Sequence, residues 1–314
     1  MGAVVWWLLL VLIPAVGWSA PFLPVGEDAT ASFLQRHWAR PLAPQGSPPA
    51  FFSPQEISLN PEVCGQCHVA QYEAWKTSLH SRAMGPGLLG QLLAMVREDH
   101  QACLRCHAPL AEQAASLVVA LSEKKRVSVS SASHLSGLTC AGCHVRHYQR
   151  FGPPVRGGEP SPDASHGGWV ASAAFEDSRF CATCHQFAED DPALNGKLLE
   201  NTYREWQESR YSREGRHCQS CHMPDRRHLW RGIHDPAMVQ DGVTLTTEPL
   251  VASPGEVAFR LVLRNTGVGH YFPTYVTPRV IIEAWQRDAQ GEVLDESRVE
   301  KVIDFSFFKR QTPI

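Results

Sequence analysis

The sequence has 314 residues, a formal net charge of −3 and 19 % charged residues. A chain of this length forms one large domain or two smaller ones. The slightly acidic balance argues against a nucleic-acid partner, because nucleic-acid-binding proteins usually present a basic surface. The mean hydropathy of −0.23 is typical of a soluble protein rather than of a membrane bundle.

The N-terminus carries an apolar run without a charge over residues 3–18, with the small residues Gly17, Ser19 and Ala20 at its end. This run is short for a membrane span, which needs about 20 residues. We interpret residues 1–20 as a signal peptide, with a retained N-terminal membrane anchor as the alternative. Export predicts a periplasmic or extracellular location, where cysteine pairs are expected to form disulfides.

Residues 21–62 are rich in Pro, Ala and Ser and are predicted to be an extended lead-in with one short helix around Ala31–Arg40. Residues 63–242 show short helical patterns separated by irregular stretches. In "GLLGQLLAMVRE" the periodicity places Leu89, Leu92, Leu93 and Val96 on one helix face. We therefore predict a mostly α fold with long loops, whose apolar core would be thin if these helices alone formed it.

The pattern changes after residue 242. Segments such as "VTLTTEPLV", "EVAFRLVLRNTG" and "RVIIEAWQRDAQGEV" are β-rich, and "DAQGE" is typical of a hairpin turn. We expect residues 243–314 to form a small C-terminal antiparallel β-sandwich-like domain. It is either complete or lacks its last strands, since the chain stops soon after "DFSFF".

Five copies of C-x-x-C-H use all ten cysteines of the chain, and their first cysteines are separated by 39, 37, 41 and 37 residues. This motif attaches c-type haem: the two thiols form thioethers with the haem vinyl groups, and the histidine binds the iron as proximal ligand. Two alternatives are weaker. Structural zinc needs two such pairs per site, and five pairs leave one over. A thioredoxin-like motif occurs once, in a βαβ setting that is absent here. The predicted sites of five covalent haems are Cys64, Cys67, His68, Cys103, Cys106, His107, Cys140, Cys143, His144, Cys181, Cys184, His185, Cys218, Cys221 and His222.

The distal axial ligands must come from the other ten histidines. A second histidine on each iron is typical of low-potential electron carriers, whereas methionine raises the potential. Sequence context, such as nearby glycines or a turn-rich segment, favours five of them as iron ligands: His80, His166, His228, His234 and His270.

The remaining five histidines are weaker candidates. Two stand close to a motif cysteine and are expected to pack near a haem edge or to bond a propionate: His100 and His217. Three are alternatives as distal ligands: His37, His134 and His147.

These residues carry a family resemblance over roughly residues 60–240. "CGQCHVAQYEAWKTSLHSRAM" resembles the first haem segment of the tetrahaem electron-transfer cytochromes of ammonia-oxidising bacteria. "GLTCAGCH" and "FEDSRFCATCH" are similar to the third and fourth segments of that family, and "CQSCHMP" is similar to hydroxylamine-oxidoreductase-like multihaem cytochromes. The resemblance implies closely spaced haems, in parallel-stacked and near-perpendicular pairs, within a mostly helical fold.

This chain departs from the tetrahaem family by its fifth motif and its β-rich tail. The family has one haem without a distal protein ligand, which by motif order corresponds to the haem on Cys103, Cys106 and His107. No C-x-x-C-K motif occurs, so the signature of pentahaem nitrite reductase is missing.

The sequence favours an electron relay that exchanges electrons with other cytochromes or a quinol-linked donor. A second hypothesis is an oxidoreductase acting on a small nitrogen or sulfur compound at an open haem, with His107 as proximal ligand and His100 or His134 as proton donor. A third is a binding module in which the β-rich domain docks a partner or builds a homo-oligomer or filament.

Overall fold

The computed structural model describes residues 28–122, 133–156, 165–250 and 258–304. The predicted signal peptide, residues 1–20, lies outside these described ranges, and so does most of the "DFSFF" segment. Within the described ranges, no helix combines the length and the apolar character that crossing a bilayer requires.

Most helices are short. Within the described ranges they are α1 Ala29–His37, α2 Pro54–Ile57, α3 Pro61–Cys64, α4 Val69–Thr77, α5 Pro86–Ala94, α6 His100–His107, α7 Ala111–Ser122, α8 Cys140–His144, α9 Ser178–His185, α10 Thr202–Glu208, α11 Arg210–Arg213, α12 Cys218–His222 and α13 Pro236–Gly242. The helix predicted around Ala31–Arg40 is present as α1, where Asp28 caps the N-terminus by accepting from Thr30 N and Ala31 N.

Four motifs share one local structure. Helices α6, α8, α9 and α12 each end at the histidine of a C-x-x-C-H motif, so the two cysteines and the histidine lie on one or two consecutive turns. The first motif differs, because α3 ends at Cys64 and His68 stands immediately before α4. A helical turn brings residues three and four apart onto one face, as one macrocycle bound by both thiols and the ring requires.

Strands are found in two regions of the described chain. Short strands lie between the helices. A three-stranded sheet consists of β1 Val145–Arg146, β2 Gln149–Gly152 and β3 Val170–Ala171, with β2 antiparallel to β1 and parallel to β3, and a two-stranded antiparallel sheet consists of β4 Ala193–Leu194 and β5 Lys197–Leu198. The C-terminal region holds two antiparallel hairpins, β6 Val243–Pro249 with β7 Phe259–Asn265, and β8 Val280–Arg287 with β9 Val293–Ile303. The prediction of a mostly α fold followed by a small β-rich domain is confirmed at this level.

The apolar core is thin, as expected. Thirteen hydrophobic side chains are buried in the described ranges, and they all precede the β-rich domain. Two clusters form, one around Trp38 and Leu110 and one around Leu92 and Leu104.

The predicted apolar face of α5 is partly wrong. Leu92 is buried and Leu89 packs beside it. However, Leu93 is exposed, and Val96 lies past the end of the helix at Ala94. With little other protein packed around this nine-residue helix, only a narrow stripe is covered.

Candidate haem sites

Four motif histidines each face one histidine from elsewhere in the chain. The ring centres are 6.4 Å apart for His68 with His166, 6.0 Å for His144 with His228, 6.3 Å for His185 with His80 and 6.2 Å for His222 with His270. All four partners belong to the distal set that the sequence predicted. The structure thus brings together eight of the ten predicted axial ligands in four pairs.

The spacing of these pairs fits a metal between the rings. A metal–imidazole bond is about 2 Å long and the ring centre lies about 1 Å beyond the nitrogen, so two imidazoles on opposite sides of one metal have centres about 6 Å apart. Direct ring stacking would bring the centres closer, as in the 4.8 Å contact of Phe33 with His37. The four nearly equal ring-centre separations are therefore those expected if each pair binds one iron.

Hydrogen bonds hold most of these rings by Nδ1. His144 Nδ1 bonds the Phe151 carbonyl at 2.7 Å, and His222 Nδ1 bonds the Arg231 carbonyl at 2.5 Å. The distal rings His166, His228 and His270 likewise bond nearby carbonyls at 2.9, 3.0 and 2.8 Å. A carbonyl accepts only from N–H, so these bonds place the proton on Nδ1 and leave Nε2 available to a metal.

Burial keeps several of these rings in the metal-binding form. It lowers the pKa of His80 to about 3 and the pKa values of His222 and His228 to about 4. It also lowers the pKa of His144. These imidazoles are therefore neutral at pH 7, and the neutral ring is the form that binds a metal.

His185 has a different partner from the other motif histidines. Its Nδ1 lies 3.7 Å from Glu200 Oε2. Burial lowers the pKa of His185, but the Glu200 carboxylate and the nearby Cys106 and Cys218 together raise it by more, so the net shift is upward. The His185 side chain is nevertheless 48 % accessible.

His107 has no facing histidine ring among the described residues. Its Nδ1 bonds the Ala83 carbonyl at 2.7 Å, as expected for a proximal ligand whose Nε2 is free. The second motif is therefore the one for which the described chain supplies no histidine pair.

His234 is the predicted distal ligand that the structure does not bring to a motif. It is exposed, and within the described ranges its ring makes no contact with another histidine ring. Its role as an iron ligand stays a prediction.

Four of the five weaker histidine candidates hydrogen-bond protein groups other than a motif histidine. His100 bonds the Leu92 carbonyl at 2.7 Å, His134 bonds Ser116 Oγ at 2.9 Å, and His37 bonds the Cys143 carbonyl at 2.7 Å. His217 Nδ1 accepts from the Ser178 backbone N–H at 3.1 Å, and His147 is exposed. The rings proposed as proton donors, His100 and His134, are thus already engaged in buried hydrogen bonds.

Trp230 is a site residue that sequence analysis missed. Its ring meets His80 edge-on at 4.7 Å and His228 edge-on at 5.1 Å. Trp230 therefore contacts the distal ligand candidates of two different motifs. The abundance of tryptophan, nine in the chain, was the available signal, but it does not indicate which one has this position.

The segment that carries His80 is anchored to the turn before the third motif. The His80 carbonyl accepts from Leu138 N at 2.9 Å, and Trp75 Nε1 donates to the Leu138 carbonyl at 2.8 Å. Gly137 adopts a φ of +63° in this turn, and a Cβ there would overlap the His80 carbonyl oxygen and lie 2.9 Å from Ala83 N. A side chain at position 137 would therefore displace the His80 segment.

We expect Gly137→Ala to destabilise the protein and to disturb the His80–His185 pair. The left-handed backbone alone costs about 1–2 kcal/mol for a residue with a Cβ, and the overlap with His80 adds to this cost. Gly46→Ala is the matched control, because Gly46 has a φ of +78° and no heavy atom lies within 4 Å of the point that its Cβ would occupy. Denaturant unfolding followed at the Soret band measures both, and equal losses for the two variants would contradict the expectation.

Cysteines of different motifs lie against each other. The thiol of Cys140 lies close enough to that of Cys64 to lower the pKa of Cys64, and the same holds for Cys184 beside Cys106 and for Cys181 beside Cys218. Arg40 spans the second of these pairs, donating to Cys184 Sγ at 3.2 Å and to Cys106 Sγ at 3.5 Å. The motifs are thus neighbours in space as first with third, second with fourth, and fourth with fifth.

The family model described as Cytochrome c554 and c-prime matches residues 63–145, a range that includes the first three motifs. No curated protein and no solved structure matches the chain. The matched range contains three C-x-x-C-H motifs, two of whose histidines belong to the pairs described above. Together, the family match and the motifs support a multihaem c-type cytochrome family, with covalently bound haem c and a function in electron transfer.

Proposed function

We propose that this chain is an exported cytochrome with five covalent c-type haems that relays electrons between redox partner proteins, such as other cytochromes or a quinol-linked donor. The observation that carries the proposal is the set of four histidine pairs, each joining a different C-x-x-C-H motif to a distant histidine at 6.0–6.4 Å. Bound haem supplies one-electron redox chemistry, and the protein supplies position, axial ligands and burial.

The contacts between motif cysteines support an order for the relay. Because the first motif touches the third, and the fourth touches both the second and the fifth, the haem on His185 has the most neighbours. Cys143 of the third motif also acts electrostatically on Cys181 of the fourth, so those two motifs are close as well. In this proposal the fourth haem is the junction between the first and third haems on one side and the second and fifth on the other.

The chain's own residues set the properties of each site. The carbonyls of Phe151 and Arg231 orient the proximal rings of the third and fifth motifs, and Glu200 faces that of the fourth. Such partners fix the tautomer and raise the basicity of a metal-binding histidine. Two histidines on one iron favour the low-potential, six-coordinate state of an electron carrier.

One observation favours a second function at the second motif. His107 has no facing histidine within the described ranges, so those ranges supply no second histidine ligand for the haem that it would bind, and we propose that this haem has an open position. An open iron can take a small ligand, and we propose a small nitrogen or sulfur compound as the substrate class of a catalytic oxidoreductase.

The spin states of the irons test both functions. We expect low-temperature EPR of the fully oxidised protein to show four low-spin haems and one high-spin haem per chain, with five haems counted by pyridine haemochrome. Single replacement of His80, His166, His228 or His270 by alanine should each convert one further haem to high spin, because each removes one axial ligand.

His234→Ala is the matched control, since its exposed ring faces no motif histidine within the described ranges. It should leave all four low-spin signals unchanged. A distal variant that retains four low-spin haems would contradict its pair. Five low-spin haems in the unsubstituted protein would rule out the open site and leave the relay.

A further inference from the structure

Glu205 is a buried carboxylate that joins helix α10 to the loop between β7 and β8. The residue is 5 % exposed. Its Oε2 accepts from the backbone N–H of Tyr271 at 2.9 Å and from Thr274 Oγ1 at 2.7 Å, and its Oε1 pairs with Lys197 Nζ at 2.7 Å. Removing one partner of a buried charge pair is costly, because the other charge is left uncompensated. The bonds to Glu205 therefore fix this loop strongly.

The loop held by Glu205 carries His270, the ring that faces His222. Tyr271 follows His270 directly, and its carbonyl accepts from His270 Nδ1 at 2.8 Å while its N–H donates to Glu205. On the other side, Asn265 Nδ2 donates to the His270 carbonyl at 2.7 Å. The backbone is thus fixed on both sides of His270. On the Tyr271 side the anchor is Glu205, which belongs to the helical part of the chain.

Packing on the same helix supports this role. A Cβ at Gly269 would lie 3.0 Å from the ring of Tyr211 and 3.5 Å from that of Trp206, so the loop approaches these aromatic rings closely. Trp206 neighbours Glu205 on α10, and Lys197 Nζ lies 4.6 Å from the centre of the Tyr271 ring. The loop between β7 and β8 therefore packs against α10 at the place where the Glu205 side chain reaches the loop.

We propose that Glu205 is a positioning residue that holds His270 as the distal ligand of the haem on the fifth motif. This inference rests on the proposed pairing of His222 with His270. Other contacts also tie this loop to the helical part, such as Thr274 Oγ1 with Thr202 Oγ1 at 2.9 Å, but Glu205 holds the residue that directly follows His270. Loss of the carboxylate would therefore loosen the backbone at His270 rather than detach the loop. Glu205 converts a ligand supplied by the β-rich domain into a fixed part of the haem site.

The test measures how readily His270 leaves the iron. Carbon monoxide binds a reduced six-coordinate haem only after the distal histidine dissociates, so its binding rate at that haem reports on the position of His270. In Glu205→Ala we expect at least tenfold faster binding at the fifth haem than in the unsubstituted holoprotein, and an added high-spin signal in the oxidised state. His270→Ala identifies the fifth haem by its changed spectrum.

Two further variants separate positioning from general stability. Glu208→Ala removes an exposed carboxylate from the same helix and should leave the carbon monoxide rate within twofold of the unsubstituted protein. Glu205→Gln keeps an oxygen that can accept from Tyr271 N–H and should give a smaller increase than alanine. It also serves as the test variant if Glu205→Ala does not fold.

The outcomes distinguish the inference from the function on which it rests. If His270→Ala creates a high-spin haem but both Glu205 variants bind carbon monoxide at the unsubstituted rate, the positioning role is wrong. If His270→Ala leaves every low-spin haem intact, the pairing with His222 itself is wrong. A lowered melting temperature with unchanged carbon monoxide kinetics would also overturn the proposal, because it would reveal only a structural tie.

Discussion

The chain made without haem attachment is expected to remain unfolded in reducing buffer. Ordering each residue costs about 1–2 kcal/mol of backbone entropy, which buried apolar surface must offset. The described ranges bury thirteen hydrophobic side chains, none of them in the β-rich domain. The macrocycles proposed beside each motif would supply the missing apolar contacts, so without them the short helices have only a thin core.

Far-UV circular dichroism during thermal unfolding measures this directly. The matured protein should show helix content and a cooperative transition, and the haem-free chain should show neither. Reducing conditions are needed because the ten cysteines of the haem-free chain would otherwise oxidise to disulfides that belong to no mature site. A cooperative transition in the reduced, haem-free chain would contradict the proposed role of haem in the core.

Glu200→Gln is expected to raise the midpoint potential of one haem by about 60 mV, which corresponds to a tenfold change in the relative stability of the two oxidation states. Glu200 Oε2 lies 3.7 Å from His185 Nδ1, whereas the rings of His107, His144 and His222 bond neutral carbonyls. A carboxylate beside a proximal histidine strengthens that ligand and favours the ferric state, so removing its charge favours the ferrous state.

An EPR-monitored redox titration resolves this shift, and the loss of its signal in His80→Ala identifies the haem on His185. Glu189→Gln is the control, since it removes a carboxylate that is 89 % exposed and pairs with Arg204 at 3.6 Å. Its potentials should stay within about 10 mV of the unsubstituted values because solvent screens an exposed charge. A potential at the His185 haem that is unchanged in Glu200→Gln would show that Glu200 does not tune it.

The five C-x-x-C-H motifs can be located directly in the sequence. C-x-x-C-H is a local pattern whose spacing matches one helical turn, and helices α6, α8, α9 and α12 end where those patterns end. The β-rich tail was predictable for the same reason, since alternation over a single strand and a "DAQGE" turn are local signals. Asp288 N donates to the Glu292 carbonyl at 2.9 Å in that turn.

The pairing of histidines was not predictable, because it is set by contacts between distant segments. Sequence context placed His80, His166, His228 and His270 among the distal candidates, but it did not indicate which motif each one faces. It also gave equal standing to His234, which lies in the same turn-rich stretch as His228 and is exposed in the fold. Glu200 and Glu205 carry no motif at all, and their roles follow only from the segments packed against them.

The proposed ligand pairs also constrain the order in which the haem sites can be completed. In the four pairs, two partners lie far downstream of their motif, one lies upstream, and one is contributed by the β-rich domain. The chain is made from the N-terminus, so His68 precedes its partner His166 by 98 residues. His80 precedes the fourth motif in the chain, whereas His228 follows the third motif and His270 follows the fifth. A haem attached early would thus remain half-ligated until later parts of the chain arrive, and the sites would be completed in an order different from that of the motifs.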